Sequence, residues 1–441
     1  MNEKRLNEKR PTLLLAAAKW WPLAARLAVA LRDHGCDVAA LCPARHPLGH
    51  VSGLRALYRY RGLDSIGSLA DAIRDYRPDV VIPCDDGVVA QLHALHEQHP
   101  SLRPVIESSL GPARWYPVVR SRQRLLSLAA QLGIRVPDTQ PIESESDLAA
   151  WHEQHGPRAV VKLDGDNGGN GVSICGSLED ATAALHRFQG RPGALTAMKR
   201  LIVDHDPLAL WQRRSPLASG VSVQKFIDGR PANCMFACYQ GALLGLISVV
   251  VVASEGPTGA ATVVRVVQDE SMRKAAQHIA AALNLTGFYG LDFIIEAAGG
   301  EPYLIEMNPR CTQLGHLELP LAGSLAGAFA AVLRGAAQPP PKQPLPCERV
   351  ALYPQAQAAG AACRPLIESS HHDVPAGEPE LVRELERGPW PMRHWPARLY
   401  HAFNRVEKAT PMLFEAVPHA SPHAGTPESV QAAAASARLA G

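Results

Sequence analysis

The chain has 441 residues, 46% of them hydrophobic and 20% charged, with a net charge of +2. That length and apolar content suffice for two to four domains with substantial cores. The near-neutral balance argues against electrostatic capture of nucleic acid, and no apolar run reaches the roughly 18 residues that cross a bilayer.

The first residues, "MNEKRLNEKR", read as a solvated, disordered arm over 1–10. "TLLLAAAKWWPLAARLAVAL" is interrupted by Lys19, Pro22 and Arg26 and lacks a small-residue cleavage site. It reads as a strand and a helix rather than a signal peptide. Nine scattered cysteines without a CxxC pair fit free thiols in a reducing cytoplasm, the expected location.

"PTLLLAAA" predicts a buried strand, and "LAARLAVALRDHG" a helix stopped at Gly35. A strand at "CDVAALCP", a helix at "SIGSLADAIRDYRPD" and a strand at "VVIPCDD" follow. This alternation predicts a Rossmann-like α/β domain with a parallel sheet over 11–117. No GxGxxG follows the first strand, which argues against a dinucleotide site. Trp20 and Trp21 sit where such sheets bind ligands, but read more readily as packing residues.

From Arg120 the pattern becomes α+β. "RSRQRLLSLAAQLGIRVPDT" predicts an amphipathic helix ended by Gly133. Apolar runs with Asp-Gly, Gln-Gly and Gly-Gly turn signals predict antiparallel hairpins, with helices at "LEDATAALHRF" and "SMRKAAQHIAAALNL". The expected boundaries are 118–335 for this second domain, 336–346 for a Pro-rich linker, 347–418 for a C-terminal extension that packs back on the body, and 419–441 for a disordered tail.

In "LDFIIEAAGGEPYLIEMNPR" a hairpin centred on Gly299 sets Asp292 opposite Glu306 and Ile294 opposite Leu304. Opposed residues have Cβ atoms about 4.5–5.5 Å apart, where two buried carboxylates repel. A divalent cation resolves that conflict, with Asn308 on the same face as a third oxygen donor suited to Mg²⁺ or Mn²⁺. A proton shared between the acids, or a one-residue slip of register, resolves it equally. "VVKLDGDNGGNGV" offers a second handle. Lys162 ends a strand and a run including Gly165, Gly168, Gly169 and Gly171 follows, able to bring backbone N–H groups close to phosphate. A plain hairpin loop has the same composition. In "VSVQKFIDG", Gln224 and Lys225 interrupt an apolar strand before a turn.

Together these pieces resemble the ATP-grasp superfamily, in its carbamoyl-phosphate-synthase-like, carboxylate–amine ligase branch, from about Pro11 to Gly335. The resemblance implies a pre-ATP-grasp domain followed by a two-lobed ATP-grasp fold hinged near 224–227. It implies that Asp292, Glu306 and Asn308 hold magnesium, that Arg310 contacts phosphate or substrate, that Arg122 and Lys162 contact nucleotide phosphates beneath the loop of Gly168, Gly169 and Gly171, and that Gln224, Lys225, Phe226 and Ile227 hold adenine. Gln224 replaces the more usual Glu. Pro231 stands where many members carry an acid for the ribose, leaving that contact to backbone or to Asn233.

The implied chemistry is ATP- and Mg²⁺-dependent activation of a carboxylate as an acyl phosphate for attack by an amine, with small-molecule substrates and a homodimer as the default assembly. Carboxyphosphate or carbamoyl chemistry, and a non-catalytic ATP-binding module, are the alternatives. His316 and Glu318 are candidates for the acceptor pocket or for scaffold, and Arg265 for a substrate carboxylate or an exposed edge. Cys311 is expected to face away. Glu306→Gln is expected to stop turnover while the fold is kept or improved.

Overall fold

The computed structural model describes residues 10–163, 171–189, 220–320, 323–342, 345–360, 363–388, 393, 395, 397–399 and 410–414. Four strands, β1 (Thr12–Ala16), β2 (Asp37–Cys42), β3 (Ala56–Arg59) and β4 (Val80–Pro83), form a parallel sheet of order β3-β2-β1-β4. The apolar runs of β1 and β4 are buried on both faces, as strands between two helical layers must be. Helix Pro22–Asp33 begins on a proline at its first position, which suits a missing N–H, and ends before Gly35 at φ +84°.

A second sheet contains β5 (Thr139–Pro141), β6 (Ala159–Leu163), β7 (Val172–Cys175) and β8 (Val221–Lys225) in the order β5-β8-β6-β7, all antiparallel. Helices Glu145–His155 and Leu178–Gln189 bury Trp151 and Leu185 against it.

The largest sheet starts with β9 (Gly229–Tyr239), β10 (Ala242–Ser254), β11 (Ala261–Val267), β12 (Gly287–Glu296) and β13 (Pro302–Asn308). Gln240 and Gly241, at φ +47° and +80°, make the tight turn between β9 and β10, with the paired positive φ that matches strand twist. The Asp228-Gly229 signal instead marks the passage from the second sheet into the largest one. A Cβ on Gly229 would lie 2.1 Å from the Ile295 carbonyl oxygen, so only glycine fits that crossing. A two-stranded ribbon, β14 (Glu318–Leu319) and β15 (Gly323–Ser324), precedes helix Leu325–Arg334. The C-terminal segment adds β16 (Arg349–Ala351) and β17 (His371–His372) beyond β11, and β18 (Met412–Leu413) beside β10.

Two cores cover the largest sheet. Helices Arg122–Gln131 and Glu270–Leu283 pack on one face around Phe236, Leu291, Phe293 and Leu304. On the other face Met235, Ile247 and Val249 join Leu27, Leu31 and Phe329, so the parallel sheet's first helix and the largest sheet share one core. Among the described residues no helix is long and apolar enough to cross a membrane.

The β12–β13 hairpin departs from its predicted register in one respect. Asp292 pairs with Glu306 as expected, but Ile294 pairs with Tyr303 rather than Leu304. A bulge between the two pairs takes up Ile305. It lets Leu304 and Met307 both enter the core while Glu306 stays on the face of Asp292.

Candidate active site

On the face opposite Phe293 and Leu304, Asn233 of β9, Asp292 of β12 and Glu306 of β13 stand side by side in register. One row along, Asn308 donates its Nδ2 to Asp292 Oδ2 at 2.8 Å. Burial first, and then the Glu306 charge, push the Asp292 carboxyl up from 3.8 to about 6. Asn308 and the cations Arg310 and Lys162 pull it the other way. The conflict read from the sequence is present, and it is partly unneutralised.

Three cations converge on this row. Arg122, at the first position of its helix, donates Nη2 to Glu306 Oε1 at 2.7 Å, with only 6% of its side chain exposed. Its Nη1 reaches the Leu163 carbonyl at 3.4 Å. Lys162, buried on β6, donates Nζ to the Ile305 carbonyl oxygen at 3.5 Å, at the bulge itself. Arg310 donates Nη2 to Asn308 Oδ1 at 3.1 Å, Nη1 to the Cys311 carbonyl at 3.4 Å and Nε to Asp86 Oδ2 at 2.6 Å. Burial works against the Arg310 charge, but Asp86 outweighs it and holds the guanidinium above its ordinary value.

Two carboxylates and an amide are a hard donor set of the kind magnesium and manganese take. The raised Asp292 carboxyl is the observation that fits a divalent cation here, because a second positive charge beside the pair removes its repulsion. Asn308 turns its nitrogen toward Asp292 and its oxygen toward Arg310, so presenting that oxygen to a metal takes a half-turn of the amide that gives up both contacts. Among the described residues no three or more His, Cys, Asp or Glu side chains are grouped so as to hold a metal ion, so the set depends on that amide.

The crossing between the second sheet and the largest one borders a cavity of about 380 Å³ lined by Lys225, Phe226 and Ile227 together with Val136, Glu296 and Tyr303. Lys225 donates its backbone N–H to the Asp138 carbonyl, and the Arg158 guanidinium lies 3.9 Å over the Phe226 ring. Gln224 is placed differently from its three neighbours. Its side chain is buried and donates to Thr139 Oγ1 at 3.1 Å, tying β8 to β5. Glu296 and Asp292 are four residues apart on β12, a rise of about 13 Å. That is the order of the reach from the base to the phosphates of an extended nucleotide.

Gly168 and Gly169 lie outside the described residues, as does Gly165. Gly171 is described, and its carbonyl accepts the Leu163 N–H at 2.8 Å, closing the base of the β6–β7 connection. Pro231 pairs with Ile294, one row from the acids. Arg265 pairs with Val250, whose other neighbour is Ala232, on the Phe293 face, so it is not among the acids. His316 Nε2 meets Asp373 Oδ2 at 2.7 Å, burial lowers His316 to about 4, and Arg26 Nη1 stands 3.4 Å from the same carboxylate. Glu318 holds His34 and the Lys342 N–H. Both are bound into scaffold that joins the first helix to the C-terminal segment. Cys311 is buried in the core, and Trp20 packs against the same core.

Two residues of the site were not singled out for these positions. Asp86 follows a fully buried strand in "VVIPCDDG", and paired acids at that strand end were the available signal. Asn233 beside Asp292 becomes visible only once β9 is aligned with β12.

A family model for the ATP-grasp domain matches residues 209–313. Among curated proteins none matches the sequence. The fold is similar to N5-carboxyaminoimidazole synthetase from Staphylococcus aureus complexed with ADP, with a TM-score of 0.53 at 15% identity over 77% of this chain and 82% of that one. It is similar to carboxyaminoimidazole ribonucleotide synthase from Aspergillus clavatus complexed with ATP, with a TM-score of 0.54 at 13% identity over 75% and 78%. It is also similar to the biotin carboxylase domain of a 2-oxoglutarate carboxylase from Hydrogenobacter thermophilus, a dimer in complex with MgADP and bicarbonate, with a TM-score of 0.53 at 12% identity over 75% and 71%.

Proposed function

We propose that this chain, which has the ATP-grasp fold, is an ATP- and magnesium-dependent ligase that activates a carboxylate as an acyl phosphate for attack by an amine. The observation that carries this reading is the direct pairing of Asp292 with Glu306, flanked by Asn308 and ringed by Arg122, Lys162 and Arg310. Asp292, Glu306 and Asn308 are the residues that would hold the metal, whose contribution is to neutralise charge on the transferred phosphoryl and the leaving diphosphate.

The chain's own groups have separable tasks. Lys162 and Arg122 bind phosphate oxygens, a role expected also of Gly168 and Gly169, which lie outside the described residues. Arg122 donates to Glu306, so the guanidinium would have to leave that carboxylate for Glu306 to hold a metal and for Arg122 to meet phosphate. Lys225, Phe226 and Ile227 hold the base beside the cavity, and Gln224 braces them from within the sheet. Arg310 orients the phosphoryl or the acid substrate. Little covalent chemistry falls to the protein, so these fixed charges act by positioning and by stabilising the developing negative charge. Both substrates are small molecules.

The test is nucleotide product analysis with pooled acids and amines. ADP and phosphate formed only when acid and amine are both present support the ligase, and AMP with pyrophosphate contradicts it. ATP binding without turnover over a broad pool favours the non-catalytic module. The likeness to carboxyaminoimidazole ribonucleotide synthases and to a bicarbonate-bound domain favours one second reading, in which bicarbonate is the acid and carboxyphosphate the activated species. ADP release that follows added bicarbonate distinguishes it.

A further inference from the structure

Of the three cations around the acid row, Arg310 pairs with an acid that follows the N-terminal sheet. Its partner, Asp86, is the first residue of helix Asp86–Gln98, which starts directly beyond β4. The preceding acid, Asp85, is used up within its own domain. It caps that helix through Val88 N–H at 2.9 Å and accepts the Ala18 and Lys19 N–H groups at 2.6 and 3.2 Å. Asp86 is thereby left to point outward. Its Oδ2 takes the Arg310 Nε–H at 2.6 Å, and the pair is mostly shielded, with 21% and 14% of the two side chains exposed.

Both mounts adjoin the core. Cys84, two residues before Asp86, and Cys311, next to Arg310, are buried in the core that the N-terminal helix and the largest sheet share. With Nε on Asp86 and Nη1 on a backbone carbonyl, rotation of the guanidinium is fixed and the Nη2 edge is aimed at Asn308. A guanidinium aimed by one charged partner gains orientation that a free arginine lacks. We infer that Asp86 is a positioning residue for the reaction: through its ion pair with Arg310 the N-terminal domain sets the angle at which that guanidinium meets the reacting anion. The inference rests on the ligase reading for its catalytic consequence, but the ion pair can be tested without it.

The experiment compares Asp86→Asn and Asp86→Glu in the full chain, alone and in an Arg310→Lys background. Two readouts are used: ADP release with whichever acid and amine pool supports the parent protein, and the nitrogen-15 NMR signal of the Arg310 Nε–H, identified by its loss in Arg310→Lys. Asp86→Asn is expected to lower ADP release about 10²-fold, the cost of a misplacement near 1 Å, while MgADP affinity stays unchanged. The Nε–H signal should lose its protection from exchange, Asp86→Glu should restore part of both, and in Arg310→Lys the same change should have no further effect. A parent-like Nε–H signal in Asp86→Asn overturns the inference, as does an equal loss of turnover in the Arg310→Lys background. If the parent protein releases no ADP with any pool, the ligase reading fails and the NMR arm alone decides whether Asp86 holds Arg310.

Discussion

Asp292→Asn separates the charge conflict from everything else at the site. The carboxyl sits at about 6 in the folded protein against an ordinary 3.8, because of burial and then Glu306. An acid raised in this way binds its proton more tightly folded than unfolded, so stability is lost as pH rises from about 4 to about 6 and the loss is constant above that. A displacement of this size corresponds to about 3 kcal/mol for the metal-free protein at pH 8. Asparagine removes it, keeps the volume and can still meet Asn308. The assay is urea unfolding in EDTA at pH 4.5 and pH 8, repeated with saturating MgADP. Metal-free Asp292→Asn should be more stable than the parent at pH 8 and close to it at pH 4.5. MgADP should stabilise the parent far more than the variant. Equal stability at both pH values, or equal stabilisation by MgADP, would refute the reasoning.

Glu306→Gln should stop ADP release, but the structure changes what it does to the fold. Removing this acid takes from the buried Arg122 the carboxylate its Nη2 donates to, so urea unfolding should show a loss of about 1–3 kcal/mol rather than a gain. Lys162→Gln should weaken ATP binding by about 10- to 100-fold, the worth of one charged hydrogen bond, as measured by calorimetry. Asp373→Asn leaves Arg26 buried without its counter-charge and should destabilise the chain by about 3–5 kcal/mol in urea unfolding. His316 is held down at about 4, so its contribution to stability is complete above pH 6.5 and is lost as pH falls from there toward 4; His316→Gln should unfold with a shallower dependence across that window.

The site was legible where a single hairpin carried it. Asp292, Glu306 and Asn308 alternate with apolar residues, and strand periodicity alone places them on one face. The bulge at Ile305 was not legible, since Tyr303, Ile305 and Met307 alternate as an ordinary apolar face and only the structure shows Leu304 and Met307 in one core. The parallel sheet was readable from its βαβ alternation, although β3 and the helices after β4 carried too little periodicity to stand out. What could not be read was contact between distant segments. Arg122 on Glu306 joins positions 184 apart in the chain, and Arg310 on Asp86 joins positions 224 apart. Charge type suggests such partners, but only the packing brings their elements together: the core of Leu125, Leu291 and Leu304 for Arg122 and Glu306, and the shared core of Leu27, Met235 and Phe329 for Arg310 and Asp86. His316 and Glu318 were ambiguous for the same reason, because Asp373 and His34 are supplied from elsewhere in the chain.

The most direct measurement is a Mn²⁺ titration followed by electron paramagnetic resonance, with ADP present, on the parent protein and on Asp292→Asn. A bound Mn²⁺ signal that needs ADP in the parent and disappears in the variant is the predicted result. Undiminished Mn²⁺–ADP binding by Asp292→Asn would contradict it, since a carboxylate that can be neutralised without cost to the metal is not holding it.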